Sequence, residues 1–172
     1  FKIDGKIVDT LCFDYGASLS EDALPKIPER SGNYAEWNAD FENLRSNIIA
    51  EAEYFPYVTA LESDMTRGEN LPIVICEGEF TEGDELEIKR LPAEKHGILY
   101  RGTEGYEMSC EKPIGKVHFL PEDEGHIYIF AQKDGKYRRL KCESDGRYVV
   151  FEMPEGVRSF SAATRSGIYT LY

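Results

Sequence analysis

The side chains best suited to chemistry are few and far apart. Three histidines (His96, His118, His126) and four cysteines (Cys12, Cys76, Cys110, Cys142) are the chain's readiest bases and nucleophiles. No His-Glu-x-x-His spacing and no Cys-x-x-Cys pair brings them together as metal ligands. His118 alternates with Val117 and Phe119 in a strand pattern, while His96 and His126 sit in or beside turns; all three read as surface or hydrogen-bonded structural residues. The chain has neither a Gly-x-Ser-x-Gly elbow nor a phosphate-binding loop. Gly102-Thr103-Glu104-Gly105 precedes a strand pattern instead of opening a helix, so it reads as a turn and not as a dinucleotide fingerprint.

Carboxylates are a different case, because there are 32 of them. A glycosidase needs two facing carboxyl groups, but with so many available, any pair can be chosen and none stands out. Glu82-Gly83-Asp84-Glu85 and Glu122-Asp123-Glu124 offer oxygens for calcium, yet neither has the regular spacing of a calcium loop. Both read as solvated turns. The residues therefore predict no catalytic residue, no cofactor and no metal site, and the chain is expected not to be an enzyme.

The cysteines lie 64, 34 and 32 residues apart, which disfavours a dense disulfide scaffold. Cys12, Cys76 and Cys142 fall in apolar or alternating runs, where a free thiol behaves as a small hydrophobe. Free thiols are the main expectation, with one pair such as Cys110–Cys142 as the alternative. Eleven Tyr, nine Phe and one Trp raise the possibility of a sugar-stacking platform, for which Tyr15, Tyr34 and Trp37 are the candidates. The simpler reading places Trp37 and Tyr34 in the thin core of a small module.

The elements that must hold these residues are almost all strands: short runs of Val, Ile, Tyr and Phe bounded by Gly, Asp and Pro. Phe1–Ile3, a turn at Asp4-Gly5-Lys6 and Ile7–Tyr15 open the chain. Ser18-Leu19-Ser20-Glu21 has the capping-box form, and Pro25 limits any helix there to one or two turns. A strand over Ile48–Phe55 closes this first segment. Beyond it, strands are expected at Val58–Glu62, Pro72–Glu79, Glu85–Leu91, Ile98–Arg101, Tyr106–Cys110, Gly115–Leu120, His126–Gln132, Tyr137–Cys142, Tyr148–Met153, Ser159–Thr164 and Ile168–Leu171. Met65–Asn70 reads as a loop. Asp134-Gly135 and Asp145-Gly146 between alternating runs predict two successive hairpins. Turn signals every eight to twelve residues point to an antiparallel β-sandwich. The expected fold is thus mainly β, with one module at 1–57 and a sandwich at 58–172.

The 172 residues carry 20 basic and 32 acidic side chains, a net charge of -12. Residues 1–57 hold 5 basic and 11 acidic groups, and residues 58–172 hold 15 and 21. Such a chain is not expected to bind nucleic acid backbones. Apolar runs such as Leu71–Cys76 are too short for a transmembrane helix, so membrane insertion is not expected. The chain opens inside a hairpin with no initiator Met and no leader, which predicts that it is a segment of a longer polypeptide.

The first segment resembles the Listeria–Bacteroides repeats, which are related to the internalin B-repeat. The resemblance rests on Tyr15-Gly16, Leu19, Pro25, Pro28, Gly32, Tyr34 and Trp37, followed by Ala50, Ala52 and Tyr54. Asn33 stands between the Gly and the Tyr, and Tyr54 or Phe55 stands where those repeats carry a closing Trp. This resemblance implies a small β-grasp-like fold displayed on a bacterial surface as a spacer or interaction module. The second segment is similar to β-sandwich modules that follow such repeats in surface proteins of gut Firmicutes, often beside leucine-rich repeats. Cys76-Glu77-Gly78-Glu79-Phe80, the two Asp-Gly hairpins, Tyr148–Glu152 and Ser159-Phe160 carry that likeness. Together they imply a noncatalytic structural or adhesive module that is extracellular, at the cell surface or secreted. A carbohydrate-binding accessory module is the alternative, and the partner would be another protein or a glycan. Any binding is expected on the loops around Gly102–Gly105 and Glu122–Gly125.

Overall fold

Asp4 and Gly5 both take positive φ (50° and 74°), as do Asp134 and Gly135 (54° and 73°). Two consecutive positive φ values make the mirror-image turn whose twist matches that of the flanking strands. The first such turn joins β1 (Lys2–Ile3) to β2 (Lys6–Ile7). The structure, a computed structural model, describes residues 1–165. The expected strand at Ile168–Leu171 lies outside the described residues. The chain divides into a first unit, Phe1–Tyr57, and a second that starts at Val58.

In the first unit, β3 (Asn33–Trp37) pairs antiparallel with β4 (Ala52–Pro56). The strand expected over Ile7–Tyr15 stops at Ile7. Beyond it the Val8 N–H reaches the Phe1 carbonyl and the Asp9 carbonyl accepts from the Phe1 amino group, and residues 8–15 run on outside any strand. The strand expected over Ile48–Phe55 likewise shrinks to the length that β3 can match. The backbone ahead of it is used differently: Lys2 N–H bonds the Ala50 carbonyl, and Ile49 is left exposed. The capping box does not form. The helix is a single 3-10 turn, Glu21–Ala23, preceded by Ser20 without a side-chain cap, while the Ser18 hydroxyl accepts the Asn43 N–H 25 residues away. Leu44 and Ala50 are the buried apolar residues of this unit. Around them, Phe1 packs edge-on against Trp37 and stacks on Phe41, and Tyr34 contacts Phe55 and Tyr57.

The second unit contains β5 (Val58–Glu62), β6 (Thr66–Arg67), β7 (Leu71–Pro72), β8 (Val74–Phe80), β9 (Glu87–Leu91), β10 (Tyr100–Ser109), β11 (Lys116–Phe119), β12 (Tyr128–Lys133), β13 (Lys136–Arg139), β14 (Cys142–Asp145), β15 (Tyr148–Glu152) and β16 (Ser159–Arg165). Ten of these build two five-stranded antiparallel sheets, ordered β13-β12-β16-β10-β9 and β14-β15-β11-β8-β5. Their inner faces meet in one core: Ile88, Tyr106, Met108, Ile129 and Phe160 from the first sheet, Val74, Cys76, Val117, Phe119 and Phe151 from the second. This is the antiparallel sandwich expected of the segment. No helix among the described residues is long and apolar enough to cross a membrane.

Three local expectations are corrected here. Met65–Asn70 is not a plain loop: Thr66–Arg67 and Leu71–Pro72 pair as a small hairpin across positive-φ Gly68 and Asn70. Tyr137–Cys142 is not one strand. Its first part pairs with β12, the chain steps across at Leu140–Lys141, and Cys142 begins β14 in the other sheet. Leu140 causes the break, since its side chain packs on the core while its N–H holds the Ile129 carbonyl. Gly102–Gly105 is neither a turn nor a loop but the middle of β10, which runs unbroken from Tyr100 to Ser109.

Candidate functional site

Residues directly opposite in an antiparallel pair share a face, so the registers show what the first sheet presents outward. Alternation on β12 sends Ile129 and Ala131 into the core and leaves Tyr128 and Phe130 on the outer face. Opposite them lie Ala163 and Ser161 of β16, and opposite these lie Gly102 and Gly105 of β10. Small residues on two neighbouring strands leave a trough. The connection from β9 to β10, residues 92–99, lies in it as a strap. A Cβ on Gly102 would collide with the Glu94 backbone, so glycine is required for this close approach.

His96 is the centre of the strap. Its ring stacks on Phe130 at 4.1 Å between centroids and meets Tyr137 edge-on. Nε2 is 2.8 Å from Ser161 Oγ, while Nδ1 is buried without a hydrogen-bonding partner. Burial lowers the pKa of His96, and the nearby Glu94 charge opposes that only in part. Protonation would place an N–H at Nδ1 with nothing to receive it. Glu94 also accepts from Tyr137, whose phenol is pushed up to about 12 by burial and by that hydrogen bond.

A serine and a histidine at this distance have the spacing of a nucleophile and its base. The space beside Ser161 argues against that role in this conformation. It measures about 20 Å³ between Leu91, Pro92, Gly105 and Tyr137, room for roughly one water. The pair holds the strap down.

At the open end of this face, Tyr100 and Tyr128 meet edge-on at 4.9 Å. Arg139 donates from Nη1 to Tyr100 Oη at 3.1 Å, and its guanidinium lies 5.7 Å from the centre of the Tyr128 ring. His126, exposed, packs edge-on against Tyr128. Tyr100 and Tyr128 are half-buried and Tyr137 is exposed. These rings and a guanidinium form a partly exposed platform that can stack against a flat ligand and donate hydrogen bonds to it.

Inside the sandwich lies a second polar centre. Register along β10 shifts between Gly102 and Glu104, leaving Thr103 as the extra residue of a β-bulge. Tyr100 and Gly102 therefore face outward, whereas Glu104, Tyr106 and Met108 face the core. Glu104 accepts from Arg67 Nη2 at 2.7 Å, from Tyr106 Oη at 2.9 Å and from Glu122 N–H at 2.8 Å. Arg67 also donates to the Leu120 carbonyl at 2.6 Å. Burial pulls the Arg67 guanidinium down, but the hydrogen bond and charge of Glu104 outweigh it and the net shift is upward. Every strong acceptor here is occupied, so this centre acts as a clamp between β10, the β6–β7 hairpin and the loop after β11. Sequence reasoning missed it: Arg67 fell in an apparent loop and Glu104 in an apparent turn.

On the outer face of the second sheet, His118 Nε2 lies 2.6 Å from Glu77 Oε1, and Nδ1 lies 3.9 Å from Asp145. That hydrogen bond lowers the Glu77 pKa, with Lys116 assisting. The three histidines thus occupy three separate surroundings. Of the acidic clusters, Asp84 turns its carboxylate back onto the Thr81 N–H and hydroxyl. Glu122–Gly125 is an exposed loop, anchored at Glu122 by Glu104 and by Arg90. Among the described residues no three His, Cys, Asp or Glu side chains converge as a metal site would require.

All four cysteines carry free thiols. Cys76 is buried and its thiol is pushed up to about 12 by desolvation. In the first unit, Trp37 is half-buried and its indole N–H donates to the Pro25 carbonyl, while Tyr15 stands exposed. The candidate stacking trio is not assembled as a platform, because Trp37 is engaged in packing with Phe1. An apolar hollow of about 190 Å³ lies between Phe1, Ile7, Leu11, Phe13 and Ile49. No protein family, curated protein or solved structure matches this chain.

Proposed function

We propose that this chain is a noncatalytic adhesive part of a bacterial surface or secreted protein: a β-grasp-like repeat followed by a sandwich that presents a binding face. One observation carries the binding role: Tyr100, Tyr128, Tyr137 and Arg139 gathered on the outer face of the first sheet. The β12–β13 hairpin supplies three of these residues and β10, distant in sequence, supplies Tyr100, and they leave ring edges and faces partly open to solvent. The buried Arg67–Glu104 clamp beneath supports the same reading, since a rigid scaffold limits what binding must order. The extracellular location rests on the resemblance of the first segment to surface repeats.

A carbohydrate as the bound partner is favoured by the same platform. Aromatic faces suit the apolar face of a sugar ring, and a guanidinium donates to its oxygens. Running a glycan array and a hydrolase substrate panel on one purified protein tests both readings. Saturable glycan binding without turnover is the expected result. Turnover abolished by a single carboxylate substitution, in protein that still folds, would overturn the noncatalytic reading. Silence on both assays would leave a spacer role and remove the binding face.

A further inference from the structure

Five of the nine residues from 133 to 141 are basic, against the one carboxylate of Asp134, in a chain whose net charge is -12. Lys136, Arg138 and Arg139 lie on β13, the outermost strand of the first sheet, where every residue is exposed. None of these three has an ion-pair partner among the described residues, although carboxylates outnumber cations across the chain. Charged edge strands also serve to block edge-to-edge aggregation. That role needs charge alone. It does not explain why Arg139 is oriented by Tyr100 and Tyr128, next to the exposed ring of Tyr137.

We propose that this surface binds an acidic polysaccharide whose sugar rings carry carboxylates, that is, a uronate polymer. The proposal rests on the carbohydrate reading above and narrows its ligand class. Tyr128 and Tyr137 supply the stacking faces, while the guanidinium of Arg139, on the same face, supplies the planar donors that match a carboxylate; Arg138, paired opposite Ala131, lies on the other face of this edge strand and adds only charge. Lys136 adds charge at the rim. A peptide strand added to the β13 edge would use the backbone and have no need of the rings. The pattern of rings beside cations therefore favours the glycan.

The test uses the full chain in affinity electrophoresis and calorimetry at about 0.15 M salt, where surface charges alone are screened beyond roughly 8 Å. Probes are polygalacturonate, alginate and hyaluronan, each with its methyl-esterified form, together with a neutral glucan, a sulfated polymer and single-stranded DNA. Saturable binding to at least one uronate polymer is expected, weakened about tenfold or more by esterification, as the loss of a charge-assisted bidentate pair implies. Arg139→Gln and, separately, Tyr137→Leu, both on the ring face, should each weaken it several-fold in protein that still melts cooperatively, while Arg138→Gln, on the opposite face, serves as the control and should bind as the wild type does. Equal binding to ester and acid, equal binding to DNA or the sulfated polymer, or wild-type affinity in both ring-face variants would overturn the proposal. Binding to the neutral glucan alone would overturn it too, while leaving the carbohydrate reading intact. No retention on any glycan would remove both.

Discussion

Arg67 Nη2 stands 2.7 Å from Glu104 Oε2, and the carboxylate retains 1% of its exposure against 20% for the guanidinium. The two residues are 37 positions apart, one on a two-residue strand and the other just past a bulge. Removing one partner of a buried pair strands the other charge, which costs more than the pair itself contributes. Arg67→Met should therefore destabilise the protein by about 3 kcal/mol. Adding Glu104→Gln to that variant should recover a large part of the loss. Urea unfolding of the two variants checks this, and a wild-type midpoint for Arg67→Met would contradict the clamp.

Gly102 permits the strap to touch the sheet. Gly102→Ala would drive a methyl group into the Glu94 backbone, so the strap should lift while the sandwich persists. Hydrogen exchange would read this directly. The His96 N–H, now bonded to the Tyr100 carbonyl, should exchange about tenfold faster or more, as for any segment that opens locally. Core amides such as that of Ile129 should be unaffected. Unchanged protection at His96 would show that the strap absorbs the methyl group.

Burial holds His96 below its ordinary value of 6.5. A group whose folded pKa is depressed contributes stability above its unfolded pKa, and that contribution is lost as pH falls through the folded value. Stability should thus decline on acidification from about pH 6.5 downward. His96→Phe keeps the stack on Phe130 and removes the titration, so its melting temperature should change less between pH 7 and 5. The Glu77 pKa is also lowered, from 4.5, but its window lies in stronger acid and does not overlap. Parallel wild-type and His96→Phe profiles over that range would refute the assignment.

Thiol labelling should separate the cysteines. Cys12 is exposed, whereas Cys76 is buried with its thiol pushed up to about 12. The thiolate is the reactive form, so iodoacetamide at pH 8 should modify Cys12 in native protein and reach Cys76 only after denaturation. Mass spectrometry of tryptic peptides measures both. Native labelling at Cys76 would show that the sandwich opens readily.

The mainly-β character was legible from short apolar runs and Asp-Gly turns, because strand alternation and positive-φ turns are local properties of the chain. Alternation in Ile127–Ala131 by itself determined that Tyr128 and Phe130 share one face and Ile129 and Ala131 the other. What lay beyond reach was set by partners distant in sequence. The strand that begins at Ala52 is as long as its partner β3 allows. Plain alternation would put the even-numbered residues of β10 on one face, yet one extra residue at Thr103 turns Tyr100 and Gly102 outward and Glu104 and Tyr106 inward. Glu104 can be buried only because Arg67 arrives from a separate hairpin to neutralise it. The tyrosine–arginine platform likewise needs β10, β12 and β13 side by side. A residue's own type determines its local preference, whereas the burial of a charge or the meeting of two rings depends on chain brought in from far away, and only the tertiary fold supplies that.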